Sequence, residues 1–224
     1  MATPKAPPRK RGPYAKTAQT RQRAVDAAIE LFSSTGFRGA TLTDVAERIG
    51  MTLTGLQHHF PDKDSLLAAV LAERDRRSRE AIRFEPGGEG TEKLIQIAIR
   101  NVGSPELTEL HCVLSAEATS ADHPAHDYFV DRYRSQREDG TRYFQRLIDQ
   151  GRLGDAVPAS SLAALLISVA DGLQLQWLLD RESVDLPGEL RRFLTGVIPA
   201  LAAGVLPPTG AAPADPILPG ASLP

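Results

Sequence analysis

With a single cysteine, Cys112, the chain can form no intrachain disulfide, and nothing in it requires an oxidising compartment. Aromatic residues are scarce, with one tryptophan and two methionines beside them, so the core must be built mainly from aliphatic side chains. No long uninterrupted apolar run exists. The most apolar stretch, Leu162 to Leu179, is broken by Ser168, Asp171, Gln174 and Gln176, which suits a buried helix of a soluble protein better than a membrane span. The opening residues MATPKAPPRKRGPYAK are charged and proline-rich with no apolar run behind them, so they do not read as a secretory signal. A cytoplasmic protein is expected. No glycine-rich phosphate loop, no Ser-His-acid spacing and no metal-ligand motif stands out, so neither an enzyme nor a cofactor is expected. His58 and His59 are neighbours that face apart on a helix, and His111, Cys112, His123 and His126 match no zinc spacing.

The formal charge of -2 hides an asymmetry. Residues 1–63 carry ten Lys/Arg against five Asp/Glu, and the remainder carries sixteen against twenty-three. Lys5, Arg9, Lys10, Arg11 and Lys16 supply the whole N-terminal surplus, because residues 17–63 balance to zero. The charge therefore points to an anionic partner for the arm and is silent on residues 17–63. Residues 1–15 have no hydrophobic periodicity and are expected to be disordered, with Arg9, Lys10 and Arg11 as a candidate minor-groove arm. The Pro/Ala/Gly-rich residues 205–224 are expected to be a disordered tail.

Between these ends the pattern is helical throughout, with no internal repeat and no credible strand. Val25, Ala28, Ile29 and Phe32 make one apolar stripe on a helix from about Thr17 to Ser34, with Gly36 placed to end it. Thr41 and Asp44 have the spacing of an N-terminal cap, and Gly50 closes that short helix. Thr52 caps a third helix reaching about His59, with Leu56 and Phe60 inward, and Pro61 stops it. Asp62 caps a fourth, which runs through a highly charged stretch to about Phe84. EPGGEG at 85–90 is a punctuation loop. Helices are expected next at about 91–102, from Ser104-Pro105 to about Thr119, and from Pro124 to about Gln150. Gly140 is placed to bend or split the last of these. Residues 159–180 and 187–203 are the two most apolar helices.

Two short helices after a longer one outline a helix-turn-helix. Gly36-Phe37, Thr41, Val45-Ala46, Ile49-Gly50-Met51-Thr52, Gly55-Leu56, His58-His59-Phe60-Pro61-Asp62-Lys63 and Leu66-Leu67 resemble the N-terminal signature of the tetracycline-repressor (TetR) family of regulators, over roughly residues 20–67. Gln57 and His59 depart from it, standing where tyrosines are common in the family. The resemblance implies an all-α fold of about nine helices: a three-helix DNA-binding domain at 16–63 and a helical ligand-binding and dimerisation domain at 64–204. It implies phosphate contacts at Thr41 and Lys63, a DNA contact at Thr43, and DNA or phosphate contacts at His58 and His59. The N-terminal residues of a recognition helix meet base edges, which here are Thr52, Leu53, Thr54 and Gln57. Gln pairs bidentately with adenine, Thr bonds several bases, and Leu touches a thymine methyl.

In the second half, polar residues at inward positions are pocket candidates: His111, Ser115, Glu117, Tyr133, Asp171, Gln174 and Trp177. The helix at 159–180 is apolar on two faces and needs two covers, one of which a second subunit can supply, and the last helix carries one unbroken apolar series. Leu162, Leu166, Leu190, Leu194, Val197 and Leu201 are the candidate dimer contacts. The expected function is a ligand-responsive transcriptional regulator, most simply a repressor, that binds a palindromic operator as a homodimer and is released by a small-molecule effector. A non-sensing architectural DNA binder is the alternative.

Overall fold

The computed structural model describes residues 13–83 and 91–204, with the side chains of 17–77, 92 and 94–204. Arg9, Lys10 and Arg11, the 85–90 loop and the tail from 205 lie outside the described residues. In order the helices are α1 (Pro13–Gly39), α2 (Leu42–Arg48), α3 (Leu53–Gln57), α4 (Lys63–Arg83), α5 (Thr91–Gly103), α6 (Pro105–Glu117), α7 (His126–Asp149), α8 (Ala159–Leu179), α9 (Leu186–Arg192) and α10 (Ile198–Ala202). A π-helical turn, Phe193–Val197, joins α9 to α10, so one helical rod ends the described chain. The described residues contain no strand.

Helix α1 starts at Pro13, inside the stretch expected to be disordered. Proline fits a first turn because its missing N–H has no intrahelical acceptor to lose. At the other end Gly36 breaks the helix with φ 75° and ψ 168°, after which one more turn leads to Gly39. The third helix is shorter than its pattern suggests: His58 and His59 lie in the turn after it. Helix α7 runs unbroken through Gly140. A Cβ there would stand 2.9 Å from the Ala163 Cβ, so this glycine lets α7 and α8 approach closely rather than ending a helix.

Two cores hold the fold. The first joins Ala28, Ile29, Phe32, Val45, Leu56 and Phe60 to Leu66, Leu67 and Val70 of α4 and to Leu110, Leu114 and Phe129. It therefore continues past Lys63 into α6 and α7. Each fully buried large apolar side chain contributes roughly 1.5–3 kcal/mol. The second core joins Ile95, Phe144, Leu162, Leu166 and Trp177 to Leu186, Leu190, Leu194 and Ile198.

That second core corrects four of the expected dimer contacts. Leu162, Leu166, Leu190 and Leu194 are buried inside this chain, because the most regular apolar series on each helix is the one its own core takes. Val197 is exposed and Leu201 half-buried. What α8 turns outward is a different stripe, with Leu165, Leu175 and Leu179 exposed and small residues between them. By length and hydropathy α8 is also the one described helix that could cross a membrane, but it packs on α6, α7 and α9.

Candidate nucleic-acid interface and internal cavity

The helix-turn-helix is built by its caps. The Thr41 hydroxyl accepts from the Asp44 N–H at 3.2 Å and donates to its carboxylate at 2.7 Å, while the Thr41 N–H donates to the same carboxylate at 2.8 Å. This reciprocal capping box starts α2 and lowers the Asp44 pKa, first through the hydroxyl and then through the backbone N–H. Gly50 leaves α2 with φ 70°. The Thr52 hydroxyl accepts from the Gly55 N–H at 3.1 Å and starts α3. Beyond the turn, Asp62 Oδ1 accepts from the Ser65 N–H at 2.7 Å and starts α4.

Three cations then bind the helices together through carbonyls left open at helix C-termini. Arg23 donates to Ile49 O at 2.7 Å, and Arg21 donates to His59 O at 2.8 Å while lying 4.2 Å from the centre of the Phe60 ring. Lys63 donates to Phe37 O at 2.9 Å and Ala40 O at 3.0 Å, with its ammonium 4.3 Å from the centre of the Phe37 ring. Thr41, Thr52 and Lys63 thus hold the frame, and Lys63 keeps one of its three N–H donors for any outside partner. Thr43, Leu53, Thr54, Gln57 and His58 are exposed, and His59 is half-buried. Leu53 is a large apolar side chain left 39% exposed beside the α3 cap among the described residues.

The pocket candidates divide. His111, Ser115, Tyr133 and Asp171 meet. The Tyr133 hydroxyl donates to Asp171 Oδ2 at 2.8 Å, and His111 Nε2 lies 3.5 Å from Asp171 Oδ1. Ser115 donates to Cys112 O and neighbours the Tyr133 phenol. Burial lowers the His111 pKa, with Arg74 and Arg132 adding to it against Asp171. Burial and the Asp171 charge push the Tyr133 phenol up to about 12. Burial would raise the Asp171 pKa, but the His111 and Tyr133 donors outweigh it and keep the carboxylate ionised. The Cys112 thiol is pushed up to about 11, by burial first and by the Asp171 charge next.

Glu117 and Trp177 are elsewhere. Trp177 belongs to the second core, with Arg181 over its ring. Glu117 sits at the corner between α1 and α2. Its Oε2 accepts from the Phe37 N–H at 2.7 Å and its Oε1 from the Arg38 N–H at 3.3 Å. A Cβ at Gly36 would stand 2.5 Å from Glu117 Oε1, so the glycine makes room for the carboxylate as well as for the backbone.

Gln174 lines a partly open pocket of about 220 Å³ between α4, α5, α6 and α8. Its other walls include Arg74, Arg77, Arg100, Asn101 and Thr108, none of them among the expected pocket residues. A signal for Arg74 is in the sequence: it continues the Leu67, Val70, Leu71 spacing, and so stays on the buried side of α4.

Residues 24–70 match the family model of bacterial regulatory proteins, tetR family. The HTH-type transcriptional regulator TtgR of Pseudomonas putida is 25% identical over 191 residues, 79% of this chain and 88% of its own length. The regulator BetI of Escherichia coli is 25% identical over 189 residues, 80% of this chain and 94% of its own length. Among solved structures, a TetR-family regulator of Agrobacterium tumefaciens superposes with a TM-score of 0.69 at 18% identity, covering 82% of this chain and all of that one. A Saccharomonospora viridis protein described as a transcriptional regulator, in complex with choline, gives 0.68 at 19% identity, covering 81% of this chain and 98% of that one. A capped helix-turn-helix that matches the model of the tetR family of bacterial regulatory proteins, on a body that is helical throughout its described residues and superposes on TetR-family structures, gives this chain the DNA-binding module and the fold of that family's transcriptional regulators.

Proposed function

We propose that the protein is a ligand-responsive repressor that binds a palindromic operator as a homodimer, with residues 16–63 reading DNA and 64–204 sensing and dimerising. The observation that carries this is the physical link between two separate sites. Helix α6 lines the cavity at Leu107 and Thr108 and ends at Glu117, which grips the backbone of Phe37 and Arg38 beside the helix-turn-helix. A cavity so connected favours a sensor over a purely architectural DNA binder.

Leu53, Thr54 and Gln57 are the base-reading candidates, with Thr43, His58 and His59 beside them and the last N–H of Lys63 available to phosphate. The outward stripe of α8, with Leu165, Leu175 and Leu179, and the exposed side of the α9–α10 rod around Val197 form the candidate subunit interface. A dimer must hold its α3 helices about 34–36 Å apart to read half-sites one turn apart. An effector shifts that spacing only by as much as it prefers one arrangement over the other. The chromosome places such a protein in the cytoplasm.

Selection of bound DNA from a random pool tests the reading. An inverted repeat with half-sites one helical turn apart, bound by two chains, is the expected result. Recovery of no preferred sequence would overturn it.

A further inference from the structure

His123 is a titratable ring shut inside the joint between the helical body and the helix-turn-helix. It lies in the connection between α6 and α7, and its side chain has no exposed surface. The connection fixes it from both sides. Its N–H donates to Ser120 O at 3.0 Å, its C=O accepts from the His126 N–H at 2.8 Å, and His126 Nδ1 lies 2.8 Å from Ala118 O. The ring meets the Phe37 ring edge-on, with 5.1 Å between centres. Its Nδ1 accepts from the Ala125 N–H at 3.2 Å, which puts the proton of the neutral ring on Nε2. That Nε2 stands 3.7 Å from Glu117 Oε2, with no hydrogen-bond partner among the described residues.

Phe37 is what this ring backs. Its N–H donates to Glu117 and its C=O accepts from Lys63, while its own ring also meets Phe32 and the Lys63 ammonium. Ala40 O, one residue before the Thr41 cap, accepts from the same ammonium. The corner therefore ties the body to the starts of α2 and α4 on either side of α3. A second proton on His123 would go to Nδ1, where the Ala125 N–H already points. Both nitrogens of an imidazolium are donors, so turning the ring restores no acceptor. Glu117, Asp122 and Asp64 favour the imidazolium and Arg38 opposes it, but burial is the largest influence and lowers the His123 pKa from 6.5.

We propose that His123 is a positioning residue for DNA binding: the neutral ring backs Phe37 and Glu117 so that the corner holds α2 and α4 in the DNA-reading arrangement, and the imidazolium leaves that place and loosens the corner. The proposal rests on the DNA-binding reading of residues 16–63. A group held neutral by one arrangement stabilises it above the unperturbed pKa of 6.5, and the contribution is lost as pH falls through the lowered value. At pH 5.5 the ceiling is about 10-fold per subunit.

The full-length protein is compared at pH 7.5 and pH 5.5 at one ionic strength, on DNA selected from a random pool at pH 7.5. Affinity is read by fluorescence anisotropy, and the Phe37 and Arg38 amides by hydrogen exchange in NMR. His123→Gln keeps a neutral donor that reaches toward Glu117, and His123→Asn keeps an acceptor near the place of Nδ1. Neither titrates. Each protein is scored by its own ratio of affinities at the two pH values, which cancels the titration of every other group. Wild type is expected to lose about 5-fold or more relative to either variant at pH 5.5, with faster exchange at both amides. In wild type alone, the His123 ring and the Phe37 amide should titrate with one midpoint, below 6.5. Equal affinity ratios in wild type and both variants, or separate midpoints for ring and amide, would each overturn the proposal. The two readings fail separately. Selected DNA bound with equal ratios leaves the DNA reading and removes the positioning role. A pool that yields no preferred DNA removes the DNA reading, while amide protection that falls with pH in wild type and not in the variants keeps the joint.

Discussion

Gln57 is an exposed amide on a short helix whose start is fixed by Thr52 and whose end is fixed by Arg21. A side chain so placed does little for the fold and, on the proposed reading, is the one available to discriminate bases. Gln57→Ala should therefore relax one operator position by about 1–3 kcal/mol and leave the melting temperature unchanged, as read by selection on a randomised operator and by thermal unfolding. The same scale decides what the sequence could tell about the neighbouring residues. Thr41, Thr52, Gly36 and Gly50 were legible because capping and positive φ depend on a few consecutive residues. The engagement of Lys63 with the carbonyls of Phe37 and Ala40 was not, since it spans 26 and 23 positions. Nor was that of Glu117 with Phe37, which spans 80. No local pattern encodes a contact at such separation.

Two helix pairs carry measurable energies. Glu73 on α4 is buried and accepts from Arg76 and Arg77 at 2.7 Å, while Arg77 also reaches Asp26 on α1. The Arg76 hydrogen bond foremost, with Arg77 behind it, holds the Glu73 carboxyl down at about 2 against the opposing effect of burial. A folded-state pKa below the unfolded value stabilises the fold above the unfolded pKa, and that contribution is lost as pH falls from about 4.5 toward 2. Urea unfolding at pH 7 and at pH 3 should differ by on the order of 2 kcal/mol more in wild type than in Glu73→Gln. The second pair is α7 and α8. Gly140→Val puts a branched side chain where even a Cβ is 2.9 Å from Ala163, with its backbone behind at 3.5 Å. Overpacking of about 1–3 kcal/mol exceeds the helix-propensity gain of under 1 kcal/mol, so the melting temperature should fall. Helical periodicity made the existence and order of the helices legible. It could not distinguish a glycine that bends a helix from one that admits a neighbour, because the neighbour lies outside the window.

At the scale of the molecule, the buried and exposed leucines of α8 and α9 separate folding from assembly. Leu175→Glu with Leu179→Glu should leave helicity intact and give monomers in sedimentation, since both side chains are exposed in the single chain. Leu194→Glu should instead lower stability by several kcal/mol, because it buries an unpaired charge in the second core. Apolar periodicity identified α8 as doubly covered but assigned leucines of the inner cover on both helices to the outer one. It measures how regular a stripe is, and regularity marks the inner one. Arg74 escaped for the converse reason, a charge on a face whose spacing belongs to the core. Helix α6 has a mechanical consequence of its own. From Thr108 on the cavity wall to Glu117 at the α1–α2 corner it spans about 14 Å of axis, and a tilt of about 10° moves its tip by about 2.4 Å. Hydrogen bonds of 2.7 and 3.3 Å do not stretch that far. A tilt of that size would therefore break the grip on Phe37 and Arg38 rather than stretch it, so the proposed response to an effector would pass between two distinct positions of the helix-turn-helix.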